Sequence, residues 1–303
     1  MVENKEEVSF SALDGGRMII RTPFLALFLL HGLGDVRAVM SFRGGSPSKE
    51  QGPRSVYRFS LPDGEGEKVF FLKRHHHSPF REQIREFFRS GSFLSGGRRE
   101  WENIWKIRQV GISTVDPVGF GERKAWGGWE LESFLISLEL EEACRLTEFI
   151  PKHFSPPLDP SLLSRKRQLL GKLALLARRM HEAGLFHRDF YLGHLFIKDR
   201  KKGERELYLM DLQRVFKPRW RIERWRIKDL ASLNFSAPPG WFTAADRLRF
   251  YKQYRGISRL EDRDRSPIRR ITRKSQRIWA HTRRLWERGK IQKVPWGFEN
   301  GVA

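Results

Sequence analysis

Residues Leu185–Phe196 read Leu-Phe-His-Arg-Asp-Phe-Tyr-Leu-Gly-His-Leu-Phe, and Leu207–Arg214 read Leu-Tyr-Leu-Met-Asp-Leu-Gln-Arg. The first stretch holds a His-Arg-Asp tripeptide between apolar anchors. The second is an apolar strand that ends in a lone acid, Asp211. Phosphoryl transfer from a nucleoside triphosphate needs two carboxylates in this relation. One orients the attacking hydroxyl and accepts its proton, and the other holds magnesium on the phosphates. The order of the two acids, and the 22 residues from Asp189 to Asp211, suit the C-terminal lobe of a kinase-type fold.

The flanking sequence carries the same pattern. Asp159-Pro160 is an N-cap followed by proline at the first helical position. Leu169, Leu173, Leu176 and Met180 then recur at helical spacing, and Gly184 is placed to end the helix just before the His-Arg-Asp loop. Upstream, residues 24–60 read as strands broken by glycines, with Phe24–Leu30 as a buried strand. Leu61–Lys68 reads as a hairpin connection, and Val69–Leu72 as an apolar strand ending in Lys73. Residues 75–97 read as a mobile insertion, and His75, His76 and His77 as a surface loop, since adjacent side chains diverge too much to share a metal. A helix is predicted over about 98–110, stopped by Gly111, followed by strands over 115–121 and 131–138.

This order predicts an α+β, bilobal, protein-kinase-like fold, with a β-rich N-lobe over 24–140 and a helical C-lobe over 141–290. Residues 1–23 carry little signal, and 291–303 form a tail. Lys73 is placed to contact the α- and β-phosphates of ATP. Its glutamate partner is expected on the next helix, at Glu100 or Glu102. Glu100 is preferred because Ile104 and Ile107 share its face, whereas Lys106 follows Glu102 by one turn toward solvent.

Three departures from a protein kinase stand out. His194 occupies the place of the asparagine five residues after the catalytic aspartate, and imidazole is a poor magnesium ligand. Leu212-Gln213 replaces Phe-Gly after Asp211. Residues 212–228 contain no Ser, Thr or Tyr, so activation by phosphorylation of that segment is excluded. Asp229 has two readings: it pins the catalytic loop through hydrogen bonds, or it is a helix N-terminal acid. The Arg/Trp alternation of residues 219–228 is generically a nucleic-acid pattern; beside the metal-site acid it suits an anionic acceptor instead, or, equally by composition, a solvated basic strand with buried tryptophans.

The net charge of +22 favours anionic partners. A hydrophobic content of 39% and an aromatic content of 13% exclude a disordered chain. A single cysteine, Cys144, excludes an intrachain disulfide and predicts a reducing compartment. The longest apolar run is too short to cross a bilayer. A cytosolic protein is expected, held at a membrane surface by the basic helix around Ile268, Ile271, Ile278, Thr282 and Leu285. The alternative for that helix is packing on the C-lobe with a solvated face.

These residues resemble the lipopolysaccharide kinase family. His187-Arg188-Asp189-Phe190-Tyr191 with His194 is similar to that family's catalytic loop, and Asp211-Leu212-Gln213-Arg214 to its metal-binding segment. Phe71-Leu72-Lys73-Arg74-His75 is similar to its lysine strand, and Arg226–Leu230 with Leu233-Asn234-Phe235 to its following helix. The resemblance spans about residues 24–260. It implies ATP- and Mg2+-dependent phosphorylation of a core sugar hydroxyl, heptose or Kdo, at the cytosolic face of a Gram-negative inner membrane. Asp189, with His187, Arg188 and His194, would form the catalytic loop; Lys73, Glu100 and Asp211 would hold the nucleotide, and Asp211 the metal. The partners expected are the lipopolysaccharide core or another anionic glycan and an anionic membrane, rather than nucleic acid. The rival readings are a protein or small-molecule kinase of the same fold, and a catalytically dead basic binding module.

Overall fold

A computed structural model describes residues 8–51, 54–64, 66–76, 94–125, 129–200, 204–237 and 240–291. The chain divides into two units, Met1–Lys106 with Val115–Glu141, and Ile107–Thr114 with Glu142–Ala303. The architecture is mixed α+β.

The first unit is built on a seven-stranded antiparallel sheet. Its strands are β1 (Phe10–Leu13), β2 (Met18–Arg21), β3 (Ser46–Gln51), β4 (Arg54–Pro62), β5 (Glu67–His76), β6 (Pro117–Lys124) and β7 (Glu130–Leu138), in the order β1-β2-β6-β7-β5-β4-β3. Two short helices, α1 (Leu25–Leu30) and α2 (Val36–Ser41), lie between β2 and β3. A longer helix, α3 (Gly96–Gln109), follows β5. The core is aromatic: Phe28 meets the edge of Phe70 at 5.3 Å between centroids, and Phe59 stacks on Phe70 at the same distance.

Several expectations for this unit are corrected. Phe24–Leu30 is not a buried strand. Pro23 opens a turn that leads into α1; Phe28 is fully buried, while Leu29 and Leu30 are 50% and 79% exposed. A seven-residue apolar run has no period of its own, and here the one-sided burial is helical. Residues 24–45 accordingly contain two helices rather than strands, and Asp35 caps α2 by accepting the Ala38 N–H at 2.9 Å. Within residues 1–23, where the sequence carries little signal, β1 and β2 pair as a hairpin at the sheet edge. The β4–β5 connection is narrower than 61–68, because both strands continue to Pro62 and from Glu67. Lys73 does not end its strand, which runs on to His76 through pairing with β7. His75 and His76 are therefore strand residues, and Gly96 and Gly97 already belong to α3; His77 lies outside the described residues.

The second unit is mainly helical. It contains β8 (Ala143–Arg145), α4 (Leu146–Phe154), α5 (Pro160–Glu182), β9 (Leu195–Asp199), β10 (Arg205–Leu209), α6 (Ile222–Phe235), α7 (Ala244–Arg255) and α8 (Asp262–Glu287). The three strands pair in the order β10-β9-β8. The Asp159 carboxylate caps α5 by accepting the Leu162 N–H at 2.8 Å, with Pro160 at the first position. Leu169, Leu173, Leu176 and Met180 are buried along one face of α5. Gly184, at φ +75°, turns the chain out of the helix, a conformation glycine adopts without steric cost. The basic run 219–228 is not a strand: from Ile222 it is the start of α6.

Candidate functional site

In the first unit, Lys73 on β5 and Glu100 on α3 form an ion pair at 2.8 Å. Several features set this contact. Ser95 caps α3, its Oγ accepting the Arg98 N–H at 3.2 Å. The Gly96 and Gly97 amides donate to Glu130 and to Ser133 Oγ on β7 at 3.0 and 2.9 Å. A Cβ on Gly97 would run into the Phe134 backbone, so the helix start lies flat on the strand only with glycine there. One turn on, Glu100 is buried beside the fully buried Ile104. Glu102 faces outward and pairs with Arg98 and Lys106 at 3.2 and 3.6 Å.

In the second unit, the loop after α5 is held by one buried carboxylate. Asp229 on α6 has no exposed surface; its Oδ2 accepts the His187 N–H at 2.7 Å and its Oδ1 the Arg188 N–H at 2.8 Å. Between its two readings from sequence, the geometry is that of the loop pin. The Arg188 backbone is left-handed at φ +71°, a strained conformation for a residue with a Cβ. Two charge-assisted bonds to a carboxylate offset that strain. Phe186 pairs with Phe216 in both directions at 3.0 and 3.1 Å, and the Leu192 N–H donates to Ser236 Oγ at 2.9 Å.

The loop side chains then have separate tasks. His187 is fully buried, and its Nε2–H donates to the Met210 carbonyl at 2.9 Å, tying the loop to the residue before Asp211. Burial lowers its pKa and keeps it neutral. The Arg188 guanidinium lies over the rings of Phe216 and Trp225, at 5.6 and 6.0 Å. Phe190 is buried, whereas the Asp189 carboxylate remains partly open. His194 Nδ1–H donates to the Asp189 carbonyl at 2.7 Å, leaving Nε2 to face Asp211 Oδ2 at 3.8 Å. Asp211 is also left-handed, at φ +56°.

This arrangement fits a magnesium ion in one respect and not in another. Asp211 presents a half-exposed carboxylate, the hard donor that magnesium takes, and such ions are often held by one or two carboxylates with phosphate and water completing the shell. His194 offers an imidazole nitrogen, which magnesium disfavours. Among the described residues no group of three or more His, Cys, Asp or Glu side chains is placed to hold a metal.

Two cations beside Asp189 have no counterpart in the sequence reading. Arg214 Nη1 donates to Asp189 Oδ2 at 2.6 Å. Lys228 Nζ donates to the Arg188 carbonyl and stands 3.9 Å from Asp189 Oδ1. Burial pulls the Lys228 ammonium down to about 8, against the opposing pull of Asp189 and Asp229. Lys228 immediately precedes Asp229 on α6, so the helix turn that delivers the pin also delivers the lysine. The basic run 219–228 and that adjacency are its signals in the sequence.

The model of the lipopolysaccharide kinase (Kdo/WaaP) family matches residues 62–254, a span that holds the Lys73–Glu100 pair of the first unit and the Asp189 loop of the second. The chain belongs to that family. It is a kinase, a phosphotransferase. Over 281 residues it is 29% identical to lipopolysaccharide core heptose(I) kinase WaaP of Pseudomonas aeruginosa, covering 92% of this chain and 96% of the relative. The WaaP of Escherichia coli K12 is 29% identical over 255 residues, covering 82% of this chain and 93% of the relative. Among solved structures, a WaaP in complex with acyl carrier protein superposes with a TM-score of 0.66 at 27% identity, covering 87% of this chain and 99% of that one. The kinase-like fold expected from the sequence is thereby established, and the family implies use of ATP.

Proposed function

We propose that the protein transfers the γ-phosphoryl group of ATP to a sugar hydroxyl of the lipopolysaccharide inner core, with heptose favoured over Kdo by the relatives' names. The observation that carries this reading is the loop in which Asp229 pins His187 and Arg188 so that the Asp189 carboxylate projects from a rigid backbone. Asp189 orients the acceptor hydroxyl and receives its proton. Lys73, oriented by Glu100, binds nucleotide phosphates. Asp211 would hold Mg2+, which neutralises charge on the β- and γ-phosphates when bound. His187 and Arg188 act through the loop backbone, and His194 fixes the Asp189 carbonyl.

The acceptor side is supported by charge and by exposed aromatic surface. Trp220 is 71% exposed between Arg219 and Arg221, a stacking face beside cations that suits a phosphorylated sugar. The exposed cations of α8 suit the anionic surface of the inner membrane's cytosolic leaflet. No helix among the described residues is long and apolar enough to cross a membrane. A carrier partner has support of its own: the solved WaaP is bound to acyl carrier protein. In this chain an apolar cavity of about 400 Å3, lined by Leu173, Leu230, Leu233, Phe242, Phe250 and Ile271, has the character to receive an acyl chain.

Mass spectrometry of lipopolysaccharide from cells with and without the gene tests the assignment. The core should lose one phosphate without the gene and regain it with the wild-type gene but not with Asp189→Asn. Asp189→Asn should reduce transfer by about 10²–10⁴-fold. An unchanged core, or full rescue by the variant, would refute the assignment.

A further inference from the structure

The cations around Asp189 are more than a charge balance for one carboxylate. Arg214 spends one N–H on Asp189 Oδ2. A guanidinium carries five N–H donors, and its other four have no hydrogen-bond partner among the described residues. Lys228 spends one N–H on the Arg188 carbonyl and holds its charge within 3.9 Å of the same carboxylate. Both are anchored from outside the loop, Arg214 from the turn after Asp211 and Lys228 from α6. Their positions are therefore set before any substrate arrives, which is what transition-state stabilisation by charge requires. Tyr191, by contrast, is the residue two after Asp189 and brings no charge; its N–H caps the Asp189 carbonyl at 2.9 Å. The two cations from outside the loop stand at the Asp189 carboxylate itself, at 2.6 and 3.9 Å.

We propose that Arg214 and Lys228 are catalytic residues that bind the transferring γ-phosphoryl group at Asp189. This rests on the reading of Asp189 as the residue that orients the acceptor. In the step, the acceptor oxygen forms a bond to the γ-phosphorus as the bond from that phosphorus to the β–γ bridging oxygen breaks. ADP leaves with that electron pair, and the acceptor proton passes to Asp189. Negative charge spread over the three equatorial oxygens meets the guanidinium N–H groups of Arg214 and the ammonium of Lys228.

The two residues differ in how they report. Arg214 stays protonated at all accessible pH. Lys228 is half-buried among Asp189, Asp229, Arg214 and Arg188, and its desolvation pulls the pKa down to about 8. Below that pH it is a cation and the reaction proceeds; above it the charge is gone and the rate falls. Lys228→Arg keeps the charge through pH 10.

The experiment measures kcat and KM for ATP, from pH 6 to 10, with lipopolysaccharide extracted from cells lacking the gene as acceptor. ATP hydrolysis to water is followed in parallel. Wild type should lose kcat with an apparent pKa near 8. Lys228→Arg should abolish that alkaline limb, and Lys228→Met and Arg214→Gln should each lower kcat by about 10²–10³-fold while KM for ATP changes far less. A structural role predicts instead that Lys228→Arg keeps the limb at 8 and that any loss follows the melting temperature. That outcome, or wild-type kcat in Lys228→Met, overturns the proposal. If Lys228→Met does not fold, the pH profile of Lys228→Arg decides alone. Asp189→Asn, run alongside, separates the two readings. Wild-type turnover there removes the catalytic role of Asp189 and this proposal with it. An inactive Asp189→Asn beside an unshifted Lys228→Arg profile removes this proposal only.

Discussion

Replacing Asp229 with asparagine should damage both stability and catalysis, by amounts that follow mainly from its two short bonds to the loop, the third contact, to His181 Nε2, being longer at 3.4 Å. The carboxylate is fully buried and accepts the His187 and Arg188 N–H groups at 2.7 and 2.8 Å. An asparagine keeps one acceptor and turns an NH2 group toward the other N–H. One charge-assisted bond, worth about 1.5–3 kcal/mol, is lost, and a buried donor is left unpaired at a further cost of similar size. The remaining bond is weakened by loss of the charge, while relaxation recovers part of the deficit; a net loss of about 2–4 kcal/mol is expected. At roughly 2–4 °C per kcal/mol for a unit of this size, the melting temperature should fall by about 5–15 °C. Catalysis should fall further than the fraction unfolded, because Arg188 at φ +71° relaxes toward an ordinary backbone once unpinned and takes Asp189 with it. A displacement of about 1 Å at a reacting group can cost 10²-fold. Thermal unfolding and transfer to extracted lipopolysaccharide, measured on the same preparation, make the check. A variant that melts within about 2 °C of wild type and turns over normally would show that Asp229 does not hold the loop.

Glu100→Gln should leave the fold intact and lower kcat/KM for ATP by about 10–100-fold, the equivalent of one charge-assisted bond of about 1.5–3 kcal/mol, read from steady-state kinetics. Glu102→Gln, on the exposed face of the same helix, should change little in that assay. Asp211→Ala should remove magnesium-dependent nucleotide binding as well as transfer; titration calorimetry with ATP, in the presence and absence of Mg2+, reads this directly, and unchanged Mg-dependent affinity would place the metal elsewhere. Replacing Arg270, Arg273, Lys274 and Arg277 of α8 by glutamine removes four exposed charges, each worth on the order of 1 kcal/mol at an anionic surface. The quadruple variant should leave phosphatidylserine-containing vesicles at salt concentrations that retain wild type, with turnover on a soluble core fragment unchanged.

The candidate catalytic loop was legible because its residue pattern is local. His187-Arg188-Asp189 and Asp211 announce themselves by residue type and spacing, and the capped α5 supplies the context. The choice of Glu100 over Glu102 followed from helical facing, and the structure places the two side chains on those faces. What stayed hidden depends on contacts that spacing does not encode. Arg214 and Lys228 lie 25 and 39 residues beyond Asp189 and meet it only through the turn at 212–214 and the packing of α6. Phe24–Leu30 misled because a short apolar run looks alike as strand or helix until its neighbours choose the buried side. The β1–β2 hairpin escaped because four-residue strands are too short to leave a clear period, even though Met18 and Ile20 of β2 are fully buried.

The resting place of Arg188 has a consequence for how cells can govern this enzyme. Its guanidinium is already engaged by the rings of Phe216 and Trp225, and Phe216 is in turn bonded to the loop through Phe186. In a kinase switched by phosphorylation, the arginine of this tripeptide awaits a phosphate that orders the following segment. Here aromatic packing already provides that order, and residues 212–228 offer no hydroxyl to modify. A phosphate on residues 212–228 is therefore not a means by which this enzyme is turned on.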